Sequence, residues 1–97
     1  MTLQVLGSAQ QDLIEGFEFY ERQQEGLGDY FLDSLFSDID SLRIYAGVHA
    51  IHFERYHRML SQRFPFAIYY RMQGDTITVW AVLDCRRDPA WIRRRLA

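Results

Sequence analysis

The 97-residue chain has one cysteine, no lysine and no apolar run approaching the roughly 18 residues that a membrane span requires. A single thiol, Cys85, excludes an internal disulfide and a zinc–cysteine cluster. Arg86 and Arg87 beside it favour a thiolate, Asp84 and Asp88 oppose one, and Cys85 reads as a structural residue. The opening MTLQVLG lacks a basic stretch followed by a long apolar one, so no secretory signal is expected. Residence in the cytoplasm, without a membrane partner, follows from that expectation. His49, His52 and His57 form no two-ligand motif on one helix or strand face, so no metal and no other cofactor is expected. What the chain does have is 48% hydrophobic and 15% aromatic residues, enough to fold residues 1–97 as a single domain without covalent staples.

The net charge of −2 conceals a division along the chain. Residues 1–42 carry nine acids against Arg22 alone, a net −8, whereas residues 43–97 carry ten arginines against four acids, a net +6. Such asymmetry points to one surface that meets an anionic partner and another that does not. Every basic residue is arginine, which suits bidentate contacts to carboxylate or phosphate; GC-rich coding produces the same bias.

Leu3 and Val5 alternate with Thr2 and Gln4 as a short strand would, and Gly7 interrupts them. Ser8 with Gln11 matches a capping box, predicting a helix over 8–24 whose apolar stripe is Leu13, Phe17 and Tyr20. After Gly26 and Gly28, Asp29 is placed to cap a second helix over 29–46, with Phe31, Leu32, Leu35, Phe36, Ile39 and Leu42 as its stripe. Residues 48–56 read as loop with a possible strand. Strands follow over 57–63, 66–72 and 76–84, with Gly74-Asp75 as the last turn and the almost continuously apolar stretch 77–83 buried on both faces in the middle of the sheet. Asp88-Pro89 starts a short terminal helix over 90–96. The fold class is therefore α/β (α+β), order β-α-α-β-β-β, with a helical hairpin packed on a mostly antiparallel twisted sheet. Phe17, Leu35, Ile39, Ile68, Val79 and Val82 are the expected core. Trp80 and Trp91 read as packing residues, and at least two of Arg93, Arg94 and Arg95 as solvated.

Several of these elements carry a resemblance. The run from Arg63 to Leu96, with Phe64-Pro65-Phe66, Tyr69-Tyr70-Arg71, the Gly74-Asp75 turn, Val82-Leu83 and Arg86-Arg87-Asp88-Pro89, resembles the hairpin and arginine-rich tail of the RelE/ParE toxin superfamily. Phe19-Tyr20, Gly26-Leu27-Gly28 and Phe31-Leu32 fit its helical hairpin. The resemblance implies the toxin of a type II toxin–antitoxin system, a plasmid-stabilisation type of protein neutralised by a cognate antitoxin protein. It implies either ParE-like inhibition of DNA gyrase or RelE-like cleavage of messenger RNA on the ribosome; a derivative that has lost toxicity but keeps the partner is a third reading. A metal-independent endonuclease would draw on Arg58 and Arg63 on a strand, Arg86 or Arg87 after the last strand, and His57 nearby. Ala67 stands where RelE-like members commonly carry an arginine, and Trp91 stands where they often have a tyrosine or histidine, which weighs against ribonuclease activity and toward a ParE-like or unassigned role. Arg63 would share a strand face with position 67 and so could substitute for that arginine. Antitoxin or target contacts are expected at Arg63, Arg86, Arg87 and Trp91, and self-association into a homo-oligomer is left open.

Overall fold

The computed structural model describes residues 1–97. Strand β1 (Thr2–Val5) leads into helices α1 (Gly7–Gln23), α2 (Leu27–Asp40) and the single turn α3 (Leu42–Tyr45). The short β2 (Ile51–His52), then β3 (Tyr56–Leu60), β4 (Phe66–Gln73), β5 (Thr76–Asp84) and α4 (Pro89–Leu96) complete the chain. The sheet order is β1-β5-β4-β3-β2, antiparallel except where β1 runs parallel to β5. No helix is long and apolar enough to cross a membrane.

The sheet has two covered faces. Phe66, Ile68 and Tyr70 of β4 and Ile77, Val79 and Val82 of β5 pack under the α1–α2 hairpin with Leu13, Phe31, Leu35 and Ile39. Ala67, Tyr69, Ala81 and Leu83 point the other way, against Ile92 and Leu96 of α4. That division explains the nearly continuous apolar run in β5, interrupted only by Thr78, which is covered above and below and paired with β4 along its length and with β1 over Thr76–Val79. Tyr69 opposes Ala81 while Tyr70 opposes Val79, so Trp80 is an extra residue on β5. This bulge is why Val79 and Val82, three apart, share a face.

Five expectations need correction. Helix α1 starts at Gly7 behind an N-cap, Leu6, that makes no side-chain bond; the Ser8 hydroxyl instead donates to the Trp80 carbonyl (3.2 Å), and no capping box forms. Helix α2 starts at Leu27, two residues before Asp29, because the Glu21 carboxylate from α1 accepts the Gly26 and Gly28 N–H groups (3.0 and 2.9 Å) and caps it from outside. The expected helix over 29–46 breaks at Ser41, whose hydroxyl donates back to the Asp38 carbonyl (2.6 Å), a bond that bends helices. Phe17 is only half-buried and packs against Gly28 at the α1–α2 contact, and Phe36 is exposed.

The fifth correction concerns Arg63. Strand β3 ends at Leu60, and the Ser61 N–H closes the hairpin on the Phe66 carbonyl (2.8 Å). Pro65 has no N–H for a ladder, so residues 62–65 turn away, and Arg63 lies in that turn instead of on a strand. It shares no strand face with Ala67.

Candidate interaction site

Arg63 is exposed, donates from Nη1 to the Tyr30 hydroxyl (3.1 Å), and lies with its guanidinium carbon 5.7 Å from the centre of that ring. Tyr30 meets Phe64 (5.5 Å between centroids), Phe64 meets Tyr20 edge-on (4.9 Å), and Tyr20 meets Phe19 (5.1 Å). The aromatic run has a simple origin: Tyr30 and Tyr20 come from the facing helices, and the Pro65 turn pushes Phe64 between them. Burial raises the Tyr20 phenol pKa, and Arg86 works against the rise from close by.

Arg86 follows β5 and is gripped by Asp84, whose Oδ2 accepts from Nη2 at 2.7 Å and Oδ1 from Nε at 3.0 Å. That bond holds the Asp84 carboxyl below its usual value of 3.8. Arg87 lies flat over Trp91 of α4, 3.7 Å from the ring centre. Between α1 and α4 a cleft of about 400 Å³ is lined by Phe19, Phe66, Val82, Leu83 and Trp91, with Arg22 and Arg87 on its walls beside the acids Asp12, Glu15 and Asp84. Phe19 thus joins the aromatic run to the cleft. The result is a rim that brings Arg63, Arg86, Arg22 and Arg87 together with Tyr30, Phe64, Phe19 and Trp91. Arg63, Arg22 and Arg87 make no ion pair within the chain, whereas Arg86 does.

The remaining basic candidates lie elsewhere. His57 stacks on Tyr70 (5.0 Å, 17°) on the hairpin side of the sheet. Arg58, the next residue on β3, faces the α4 side with Nη2 3.8 Å from the Cys85 sulfur, and its Nε is buried without a partner. Neighbouring strand residues point to opposite faces, so His57 and Arg58 cannot act on one phosphate. Arg93 and Arg94 are exposed, but Arg95 donates to Asp12 Oδ2 (2.7 Å) and pins α4 to α1. Trp80 is half-buried beside Tyr56, and Trp91 combines packing with support of Arg87.

Of the expected contact residues, Arg86, Arg87 and Trp91 come together at the end of β5, and Arg63 stands beyond the Tyr30–Phe64–Tyr20 run. Of the aromatic members of the rim, Trp91 was singled out in the sequence as a contact residue, whereas Tyr30, Phe64 and Phe19 were not. Phe19 and Tyr30 are each 44% exposed, and their only sequence signal is an aromatic ring off the apolar stripe of its helix.

With that geometry defined, the architecture has a counterpart among solved structures. A chain of the structure described as the chromosomal ParDE TA system from P. aeruginosa superposes with a TM-score of 0.71, at 18% identity, over 84% of this chain and 92% of that one. The fold is ParE-like. No protein-family model and no curated protein matches the sequence. On the ParE-like fold, the rim joins the turn after β3, the outer sides of α1 and α2, and the β5–α4 junction.

Proposed function

We propose that the chain is the toxin of a type II toxin–antitoxin pair, ParE-like in mode, acting by protein contact and held inactive by an antitoxin seated on the basic and aromatic rim. One observation carries the reading: on a ParE-like fold, three arginines outside any ion pair, Arg63, Arg22 and Arg87, stand beside the aromatic rings Tyr30, Phe19 and Trp91. An antitoxin segment with an apolar side chain for the α1–α4 cleft and carboxylates for Arg63, Arg22 and Arg87 would complement it. Trp91 and Arg87 would contribute as a stacked unit, Arg86 as a cation already oriented by Asp84. DNA gyrase is the target that this mode implies.

RelE-like endonuclease chemistry asks for a base, cations and an acid around one scissile phosphate. Placement of His57 and Arg58 on opposite sheet faces, with Arg63 in a turn, weighs against that mechanism.

The reading is tested by inducing the chain in bacteria with and without the product of the adjacent small reading frame. Growth should stop without the neighbour and resume with it, with plasmid supercoiling failing before any messenger RNA is cut. Cleaved messenger RNA would transfer the function to the endonuclease reading; uninterrupted growth would leave a non-toxic interaction protein. Alanine at both Arg63 and Arg86 should abolish arrest while thermal midpoints stay within a few degrees, since both side chains are exposed.

A further inference from the structure

At the edge of the sheet opposite β1, residues 46–50 link α3 to β2 and are fastened by a buried phenol. The Tyr70 side chain, fully buried, accepts the Gly47 N–H at its hydroxyl (3.0 Å) and shares that hydroxyl with His49 Nδ1. His57 Nδ1 lies 2.7 Å from the His49 carbonyl, and its ring stacks on Tyr70 at 5.0 Å while His49 meets the same ring edge-on at 5.5 Å. A carbonyl only accepts, so His57 carries hydrogen on Nδ1. The Tyr70 oxygen accepts from Gly47, and with its own hydrogen directed at an unprotonated His49 Nδ1 the buried hydroxyl is satisfied both as donor and as acceptor. Gly47 sits at φ +95°, a backbone conformation that favours glycine, and a Cβ there would lie 3.1 Å from the Met72 sulfur, so the segment runs close against the sheet.

We propose that the His49–Tyr70–His57 cluster is a proton-operated latch: neutral His49 keeps residues 46–52 on the sheet, and its protonation releases them and uncovers the outer edge of β3. A proton on Nδ1 turns that nitrogen into a donor, leaves the buried Tyr70 hydrogen without an acceptor, and puts a cation beside a second imidazole. The groups facing His49 are His57 from β3, with Tyr70 and, beside Gly47, Met72 from β4; neither imidazole is paired with a carboxylate that could absorb the charge. Burial first, and His57 second, hold the His49 pKa below its ordinary 6.5. For a folded pKa so depressed, the stabilisation is present above 6.5 and is lost as pH falls through the lower folded value. The segment that moves bears Val48 and Ile51, both largely exposed, and supplies the Ala50 carbonyl that accepts the Arg58 N–H (3.1 Å). Release therefore frees a strand edge next to apolar side chains, an arrangement open to pairing with another chain.

The test is hydrogen exchange of the full chain at about pH 7.5 and about pH 5, corrected for intrinsic rates. Protection at the Gly47 and Arg58 amides should fall by about tenfold or more at the lower pH, while amides of Ile68 and Val79 in the core hold theirs. His49→Gln, which keeps an acceptor for Tyr70 but cannot titrate, should abolish the pH dependence. An NMR titration of the His49 ring in the unaltered chain gives a second reading and should show its midpoint below 6.5. Unchanged protection across the range, equal sensitivity in His49→Gln, or a His49 midpoint at or above 6.5 would each overturn the latch.

Discussion

Asp12 shows how much one side chain can carry. Its carboxylate is 8% exposed, accepts the Val82 N–H (3.0 Å) on a part of β5 that lies beyond the reach of β1, and pairs with Arg95 of α4. Burial raises its pKa above 3.8, with the Val82 N–H and Arg95 pulling the other way. The ionised form is therefore the penalised one, and the stability tied to this group declines as pH rises through its folded value. Asp12→Ala leaves the Val82 N–H without an acceptor and should cost about 1–3 kcal/mol in urea unfolding at pH 7. Asp12→Asn keeps an acceptor and should cost about half as much or less, because the lost Arg95 pair is offset by relief of the buried charge. Equal costs for the two would mean that the ion pair, and not the backbone bond, is what Asp12 contributes. In the sequence this residue was only a polar position on a helix, because its partners are 70 and 83 positions away.

At the scale of elements, the α1–α2 hairpin depends on two glycines that let the helices approach. A Cβ on Gly28 would lie 2.6 Å from the Phe17 ring and 2.8 Å from the Phe17 carbonyl oxygen; one on Gly16 would lie 2.5 Å from the Phe31 ring. Gly28→Ala cannot be absorbed by a side-chain rotation alone, since backbone stands in the way, and should destabilise by about 1–3 kcal/mol in thermal or urea melts. A neutral or stabilising effect would show that the helices pack more loosely than described. The helical period made both helices legible beforehand, and the Gly74-Asp75 turn did the same for the separation of β4 from β5. The Glu21 cap, the break at Ser41 and the early end of β3 were not legible. Each is decided by a specific hydrogen bond or by Pro65, and apolar periodicity is blind to both. The same blindness misplaced Arg63: with β3 drawn through residue 63, its guanidinium belonged to a strand face, whereas the turn sends it to Tyr30.

Across the whole molecule, the charge division of the sequence becomes a spatial one. The exposed acids Glu15, Glu18, Glu25, Asp29 and Asp33 lie on the helical hairpin or its connection, while Arg93 and Arg94 lie on α4 across the sheet. The arginine and aromatic rim runs along the boundary between them. Arg63, Arg86, Arg87 and Trp91 could be chosen from the sequence; Arg22, Tyr30, Phe64 and Phe19 join them only through folding. A partner drawn to that rim by charge should associate more slowly as salt screens the approach, the screening length falling to about 10 Å at 0.1 M. The most direct measurement is the association rate of the chain with the product of the adjacent small reading frame at low and high ionic strength, for wild type, Arg63→Glu and Arg86→Glu. The expected result is a rate that drops with salt in the wild type and is already low, with a flatter salt dependence, in both reversals. Association that ignores salt and is unchanged by either reversal would contradict capture of this chain through its arginine rim.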